Sequence, residues 1–175
     1  IVYRGKNLYS PTSPKAQAEK KVSVLSIKEK TLLFIPSPLL FYGIKQLIEV
    51  LPKDCHIFCV EADHRLLELS LSYVSSEVIN HPAITLVYSG PDSTFIELIK
   101  DIDISRYRRV LFVRLTGGYS LYPSHYKEQY AFLEHHIQQY WQNKMTMIHM
   151  SNLWFRNIFK NLSRNNTFFP IDRRT

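Results

Sequence analysis

Residues 32–43 read LLFIPSPLLFYG. A continuous apolar run enters a turn, Pro36-Ser37-Pro38, and helical periodicity starts directly after it. Working outward, the same alternation repeats along the chain. Short apolar runs at 31–35, 56–61, 84–89 and 109–115 predict strands, because each is the length of a buried strand and is bounded by turn residues. Helices are predicted over 13–27, 38–51, 63–76 and 92–102, and two longer ones over about 124–143 and 146–163. Ser13 can cap the first with Pro14 in its opening turn, Ala18, Val22 and Leu25 share one face, and Asp63 can cap the third. Gly90-Pro91 and Gly117-Gly118 close the last two strands.

Strands that alternate with helices pair in parallel through right-handed crossovers. Runs that are apolar throughout fit a sheet covered on both faces. The expectation is an α/β, Rossmann-like three-layer fold. Its four strands, counted among themselves, should lie in the order 3-2-1-4, with Leu33, Ile35, Phe58, Val60, Leu86, Leu111 and Val113 buried. Any ligand then belongs at the carboxyl ends of the strands, near the switch point between the first and fourth, where loops 36–38, 61–63, 89–92 and 115–125 converge.

The 175 residues suffice for one domain with a real core, and 45% hydrophobic with 21% charged residues is an ordinary globular composition. No apolar run approaches the ~20 residues of a membrane span, and the opening IVYRGKNLYS lacks the apolar segment of a signal peptide. Cys55 and Cys59, four apart on a strand, lie about 13 Å from each other, too far for a disulfide. Two reduced thiols fit a cytoplasmic protein. The formal charge of +7 permits anionic partners, but the basic residues are scattered. The denser clusters, RYRR at 106–109 and the final DRRT, come with no RNA-binding or zinc-ligand motif, which argues against nucleic acid. Adjacent His135 and His136 diverge by about 100° on a helix and cannot share a metal. His125 and His149 have no ligand partner nearby in the sequence. No metal site, no bound cofactor and no catalytic serine or cysteine motif is expected.

Candidate ligand-binding residues come from the strand ends. A phosphate-cradling turn needs backbone N–H groups and glycine at close approaches. Pro36 and Pro38 have no N–H and a locked negative φ, so the turn around Ser37, Tyr42 and Gly43 reads more strongly as a rigid strand-to-helix link. Glu61 ends the second strand where an acidic residue would bind a ribose hydroxyl. Read without a ligand, Asp63 caps a helix and Glu61 is simply exposed at the strand end; both stay candidates for binding. Arg114, Gly117 and Gly118, followed by Tyr119, Tyr122 and Tyr126, form the loop most suited to a site.

The opening NLYSPTSPKAQAEK (7–20), with Ser10, Pro14 and Glu19, the FCVEADHRLLE stretch with Glu61 and Asp63, Tyr42 of the turn, and Asn157 and Asn161 in LWFRNIFKNL together resemble the amino-terminal domain of the motility-associated factor (Maf) family. These are bacterial flagellin glycosyltransferases, related more distantly to archaeal hydroxymethylpterin pyrophosphokinase-like proteins. The resemblance runs along essentially the whole chain, but the glycines of the family's turn are absent here. It implies a division into residues 1–145, a Rossmann-like domain, and 146–175, a helix and linker towards a carboxy-terminal catalytic domain. Phe155, Asn157, Phe159 and Asn161 would then lie at the junction. It implies a non-catalytic or accessory role in protein glycosylation, with flagellin or another protein as acceptor. The alternatives are an S-adenosylmethionine-type methyltransferase-like domain that binds a nucleotide-like ligand, and a purely structural domain.

Overall fold

A computed structural model of the chain describes residues 1–90 and 94–165. The Pro91 of the third strand's closing turn, residues 92–93 at the start of the helix expected over 92–102, and the basic DRRT end lie outside the described residues. The fold is mixed α/β. Four strands, β3 (Thr31–Pro36), β4 (His56–Glu61), β5 (Ile84–Tyr88) and β6 (Arg109–Phe112), form one sheet in which every neighbouring pair is parallel. In chain-order labels the sheet runs β5-β4-β3-β6. The labels differ from the expected 3-2-1-4 because a short antiparallel hairpin, β1 (Val2–Tyr3) with β2 (Lys6–Asn7), precedes the sheet and was not foreseen. Two-residue strands leave no periodic signal to read.

Helices pack on both faces. Leu33, Ile35, Ile57 and Cys59 point to one side, where α1 (Pro14–Ser23), α2 (Ile44–Glu49) and α4 (Ser76–Ile79) contribute Val22, Ile44, Leu47 and Val78. The opposite side is aromatic. Phe34 meets Phe58, Phe112 and Tyr130, the last from α6 (Pro123–Asn165), while Phe95 of α5 (Phe95–Ile99) meets Phe58 and Phe132. α3 (His64–Tyr73) follows β4 and sends Leu66 into a small cluster at the carboxyl end of the sheet. The central strands β3 and β4 are buried almost throughout. Leu33, Ile35, Phe58, Val60 and Val113 are buried as expected. Leu86 and Leu111 are only half-buried, because they sit on the edge strands β5 and β6, which have a neighbour on one side alone.

Three helical expectations are corrected. The helix expected from 38 begins only at Ile44, since Ser37, Leu39 and Phe41 all have positive φ (48°, 51° and 56°) and Gly43 has φ 82°. This alternation swings Leu39 into the carboxyl-end cluster and Phe41 into the main core. Burial of both side chains offsets a left-handed cost of about 1–2 kcal/mol per non-glycine residue. Ser13 is itself left-handed (φ 50°, ψ 57°) and its side chain caps nothing, whereas Asp63 caps α3 by accepting from the Arg65 N–H at 3.0 Å. Finally, the two long helices are one, α6, 43 residues long. No glycine or proline interrupts residues 124–165, so nothing stops the helix between 143 and 146. By contact the chain divides after Gln138, inside α6, rather than after residue 145.

Candidate functional site

The carboxyl end of the sheet is built around a carboxylate. Glu61 is the last residue of β4 and is fully buried rather than exposed at the strand end, because its carboxylate turns inward to donors from the turn after β3, α6 and the following backbone. It accepts hydrogen bonds from Ser37 Oγ (2.7 Å), the N–H groups of Ala62 and Asp63 (3.0 Å each) and the Tyr126 hydroxyl (3.2 Å). Tyr126, buried in the second turn of α6, also accepts from the Ala62 N–H at 3.1 Å. Burial pushes the Glu61 carboxyl above the ordinary carboxylate range, against the pull of its donors, and burial also raises the Tyr126 hydroxyl.

Ser37 joins β3 to the loop after β6. Its N–H donates to Val60 O at 2.7 Å, its carbonyl accepts from Thr116 Oγ1 at 2.7 Å, and Thr116 Oγ1 in turn accepts from the Gly118 N–H at 3.1 Å. A Cβ on Gly118 would stand 2.2 Å from Ser37 Oγ, so only glycine admits this approach. At Gly117 a Cβ would stand 2.5 Å from the carbonyl oxygen of Asn7. The Gly117 N–H donates to Leu8 O at 2.7 Å, and Lys6 Nζ donates to Ser120 O. The amino-terminal segment therefore lies directly on the switch point between β3 and β6. Leu8 and Tyr9 are buried there with Leu39 and Leu66. Both glycines allow close packing of the chain on itself.

Asp63 lies beside this centre and holds the hairpin down. It accepts from Tyr122 OH (2.9 Å) and Tyr3 OH (3.2 Å), and Arg4 stands 3.3 Å away as its ion-pair partner. Burial opposes its ionisation, but the hydrogen bonds from Tyr122, Tyr3 and the Arg65 N–H, with the Arg4 charge, hold its carboxyl below the usual range. An open cleft of about 360 Å³ crosses this region and is lined by Arg4, Asp63, His64, Arg65, Tyr88 and Tyr122. A smaller one, about 230 Å³, lies between α1 and the loop after β6, with Ser10, Gln17, Lys21 and Gly117 in its wall. Lys21 Nζ there donates to Leu115 O at 3.1 Å.

Of the expected residues, Ser37, Glu61, Asp63, Gly117 and Gly118 converge at the carboxyl end of the sheet. Tyr42 and Gly43 face a different cleft together with Lys15, Glu19 and Lys45. Gly43 is required by its φ and by the Ala18 backbone, 3.2 Å from where its Cβ would be. Arg114 is exposed and stacks over the Tyr119 ring at 5.3 Å. Phe155 and Phe159 are 61% and 67% exposed, and Asn157 and Asn161 are exposed beside them.

Sequence reasoning missed the structural roles of Arg4, Thr116 and Gln129. Gln129 was legible in principle: Tyr122, Tyr126, Gln129 and Leu133 follow one helical face, and polar residues on a buried stripe mark a hydrogen-bonded node. Gln129 is buried against Ser89 and His125, and its Oε1 has no hydrogen-bond partner among the described residues. Chemically, Ser37 and Glu61 resemble a nucleophile and base, but both are fully buried, and all the groups around them are engaged with one another. Among the described residues no group of three or more His, Cys, Asp or Glu is placed to hold a metal ion. No helix among them is long and apolar enough to cross a membrane.

No protein-family model matches the chain. An uncharacterized protein of Treponema pallidum (strain Nichols) is similar to it, 26% identical over 161 residues, which is 92% of this chain. The chain spans 28% of the length of that curated relative.

Proposed function

We propose that this chain is a Rossmann-like accessory domain of a longer protein, without catalysis of its own, that holds a transferase region or a protein acceptor in place as the amino-terminal domain does in Maf-like glycosyltransferases. One observation carries the reading: the crevice where such a sheet takes a nucleotide is filled from within. Leu8 and Tyr9 occupy the switch point, and the Glu61 carboxylate, placed where a ribose would be gripped, is saturated by Ser37, Tyr126 and two backbone N–H groups. The length of the Treponema relative, more than three times the aligned stretch, supports a role as one part of a larger chain. The resemblance in residues 7–20, 58–68 and 153–162 supports the Maf-like context. Phe155, Asn157, Phe159 and Asn161 would form the seam to the remainder of the protein, which acts in the cytoplasm, with flagellin or a comparable protein as acceptor.

Calorimetric titration with S-adenosylmethionine and with NAD tests this. No binding at millimolar ligand is expected for either. Micromolar binding of S-adenosylmethionine that Glu61→Gln abolishes would overturn the filled-crevice argument and establish the methyltransferase-like alternative.

A further inference from the structure

Charge is balanced unevenly among the clefts of the fold. Where Arg4 and Arg65 line a cleft, the wall also holds Asp63, which pairs with Arg4 at 3.3 Å. Around Tyr42, Lys15 and Lys45 stand against Glu19 and Glu49. The cleft of about 230 Å³ between α1 and the loop after β6 differs: its wall holds Lys21 and no carboxylate. Pro14, Gln17 and Lys21 recur at the spacing of one helical face, and Ala18 and Val22 beside them are buried. The polar row therefore lies along the edge where α1 meets the loop after β6. Lys21 Nζ donates to Leu115 O at 3.1 Å. An ammonium has three donors, so this bond fixes it at the cleft wall with two N–H groups still to be met. One turn earlier, Gln17 Nε2 donates to Ser10 Oγ at 2.9 Å, which leaves the Ser10 hydroxyl hydrogen to donate. The other contact of that hydroxyl, Thr12 Oγ1, is 3.5 Å away. Arg114, next to Leu115 in the chain, adds a second positive charge. Burial first and the Arg114 charge second lower the Lys21 ammonium below its ordinary value. Arg114 lies over the Tyr119 ring at 5.3 Å, a contact made by the face of the guanidinium that uses no N–H group. Among the described residues neither Lys21 nor Arg114 has a carboxylate within ion-pair distance. Two cations from distant segments are thus held near one another with no counter-charge.

We propose that this cleft binds the phosphate group of a small ligand, with Lys21 Nζ and Ser10 Oγ as donors and Arg114 as the second positive charge. A phosphate monoester carries close to two negative charges at neutral pH, which matches the pair of cations better than a single carboxylate does. Size sets the rest of the ligand. At about 230 Å³ the cleft falls below the ~300–1,000 Å³ that encloses a drug-sized molecule, so free phosphate or a phosphomonoester of a few carbons fits and a dinucleotide does not. S-adenosylmethionine has no phosphate, and NAD has only a pyrophosphate between two bulky nucleosides. The site is therefore separate from the filled crevice at Glu61 and goes beyond the accessory role proposed above.

Amide chemical shifts of the nitrogen-15-labelled chain, followed during titration with inorganic phosphate and with glycerol 3-phosphate at constant ionic strength, test it. Shifts are expected at residues 10–21 and 114–117, with a dissociation constant of about 1 mM or below for at least one of the two. Lys21→Met, which keeps the stem and removes the charge, should weaken binding at least about tenfold, and Ser10→Ala about three- to tenfold. Arg65→Gln, in the other cationic cleft, should leave it unchanged. The same spectra report whether each variant is folded, and Ser10→Ala with Arg114→Gln carry the test if Lys21→Met is not. Tighter binding of glycerol 3-phosphate assigns the site to a phosphomonoester, and equal or tighter binding of inorganic phosphate assigns it to the free ion. No saturable shift with either up to about 10 mM overturns the proposal. So does binding that survives both Lys21→Met and Ser10→Ala, or binding that Arg65→Gln removes, which would move the anion to the cleft at Asp63.

Discussion

Replacing Glu61 separates the two roles a strand-end carboxylate can have. In Glu61→Ala, Ser37 Oγ, the Tyr126 hydroxyl and the N–H groups of Ala62 and Asp63 lose their acceptor inside a buried site. Each buried group left without a partner costs about 1–3 kcal/mol, though Tyr126 and the Ala62 N–H still have each other. A total loss of about 3–5 kcal/mol is expected, since Ser37 Oγ and the Asp63 N–H lose their acceptor outright and the other two lose part of theirs. With a urea m-value of about 2 kcal/mol/M, the midpoint falls by roughly 1.5–2.5 M. Glu61→Gln keeps the shape and one acceptor oxygen, and should lose only about 1–2 kcal/mol at neutral pH. The pH dependence distinguishes them further. Burial raises the Glu61 carboxyl in the folded state, so the folded protein holds this proton to higher pH than the unfolded chain. Its contribution is complete below the ordinary value of 4.5 and is lost as pH rises through the folded value. Glu61→Gln removes that decline, so the gap between wild type and Glu61→Gln narrows as pH rises from 4.5. Urea denaturation at several pH values, followed by circular dichroism, measures both effects. A Glu61→Ala midpoint within about 0.5 M of wild type, or a gap that widens with pH, would refute the claim that this carboxylate is a buried structural hub.

Asp63 should show the opposite sign: its carboxyl is held below 3.8 in the folded state, so its contribution is present above that value and is lost as pH falls through the folded one. Asp63→Asn should therefore flatten the acid limb of a thermal melt below pH 4, and Asp63→Ala, which also loses the α3 cap, should cost about 1–2 kcal/mol and speed proteolysis of the amino-terminal hairpin. Gly118→Ala drives a Cβ to 2.2 Å from Ser37 Oγ and should destabilise by about 1–3 kcal/mol in the same urea assay. Lys30→Gly, at an exposed position with φ 57°, should instead raise the melting temperature through a gain of about 0.5–1 kcal/mol, because glycine adopts this conformation without a Cβ penalty.

Much of this architecture could be read before any coordinates. The four apolar runs are strands within a few residues of where they were placed, all parallel, and Asp63 caps its helix. These features are local: strand runs, caps and turns are written in neighbouring residues, and a covered parallel sheet follows from apolar runs separated by helices. The absence of a glycine-rich turn was also legible in Pro36-Ser37-Pro38. What the tertiary structure decided is where side chains of distant segments meet. Nothing near Glu61 in the chain indicates that its carboxylate turns inward to Ser37, 24 residues before it, and to Tyr126, 65 residues after it. Nor does the run around Leu8 indicate that it fills the switch point. A ribose-binding acid and a structural hub have the same residue type at the same strand end, and only the donors that surround the carboxylate distinguish them. Likewise, periodicity could not say whether Phe155, Phe159 and Leu162 complete a core or face outward. Burial depends on what lies opposite a helix face, and that is a property of the folded chain rather than of the helix's own sequence.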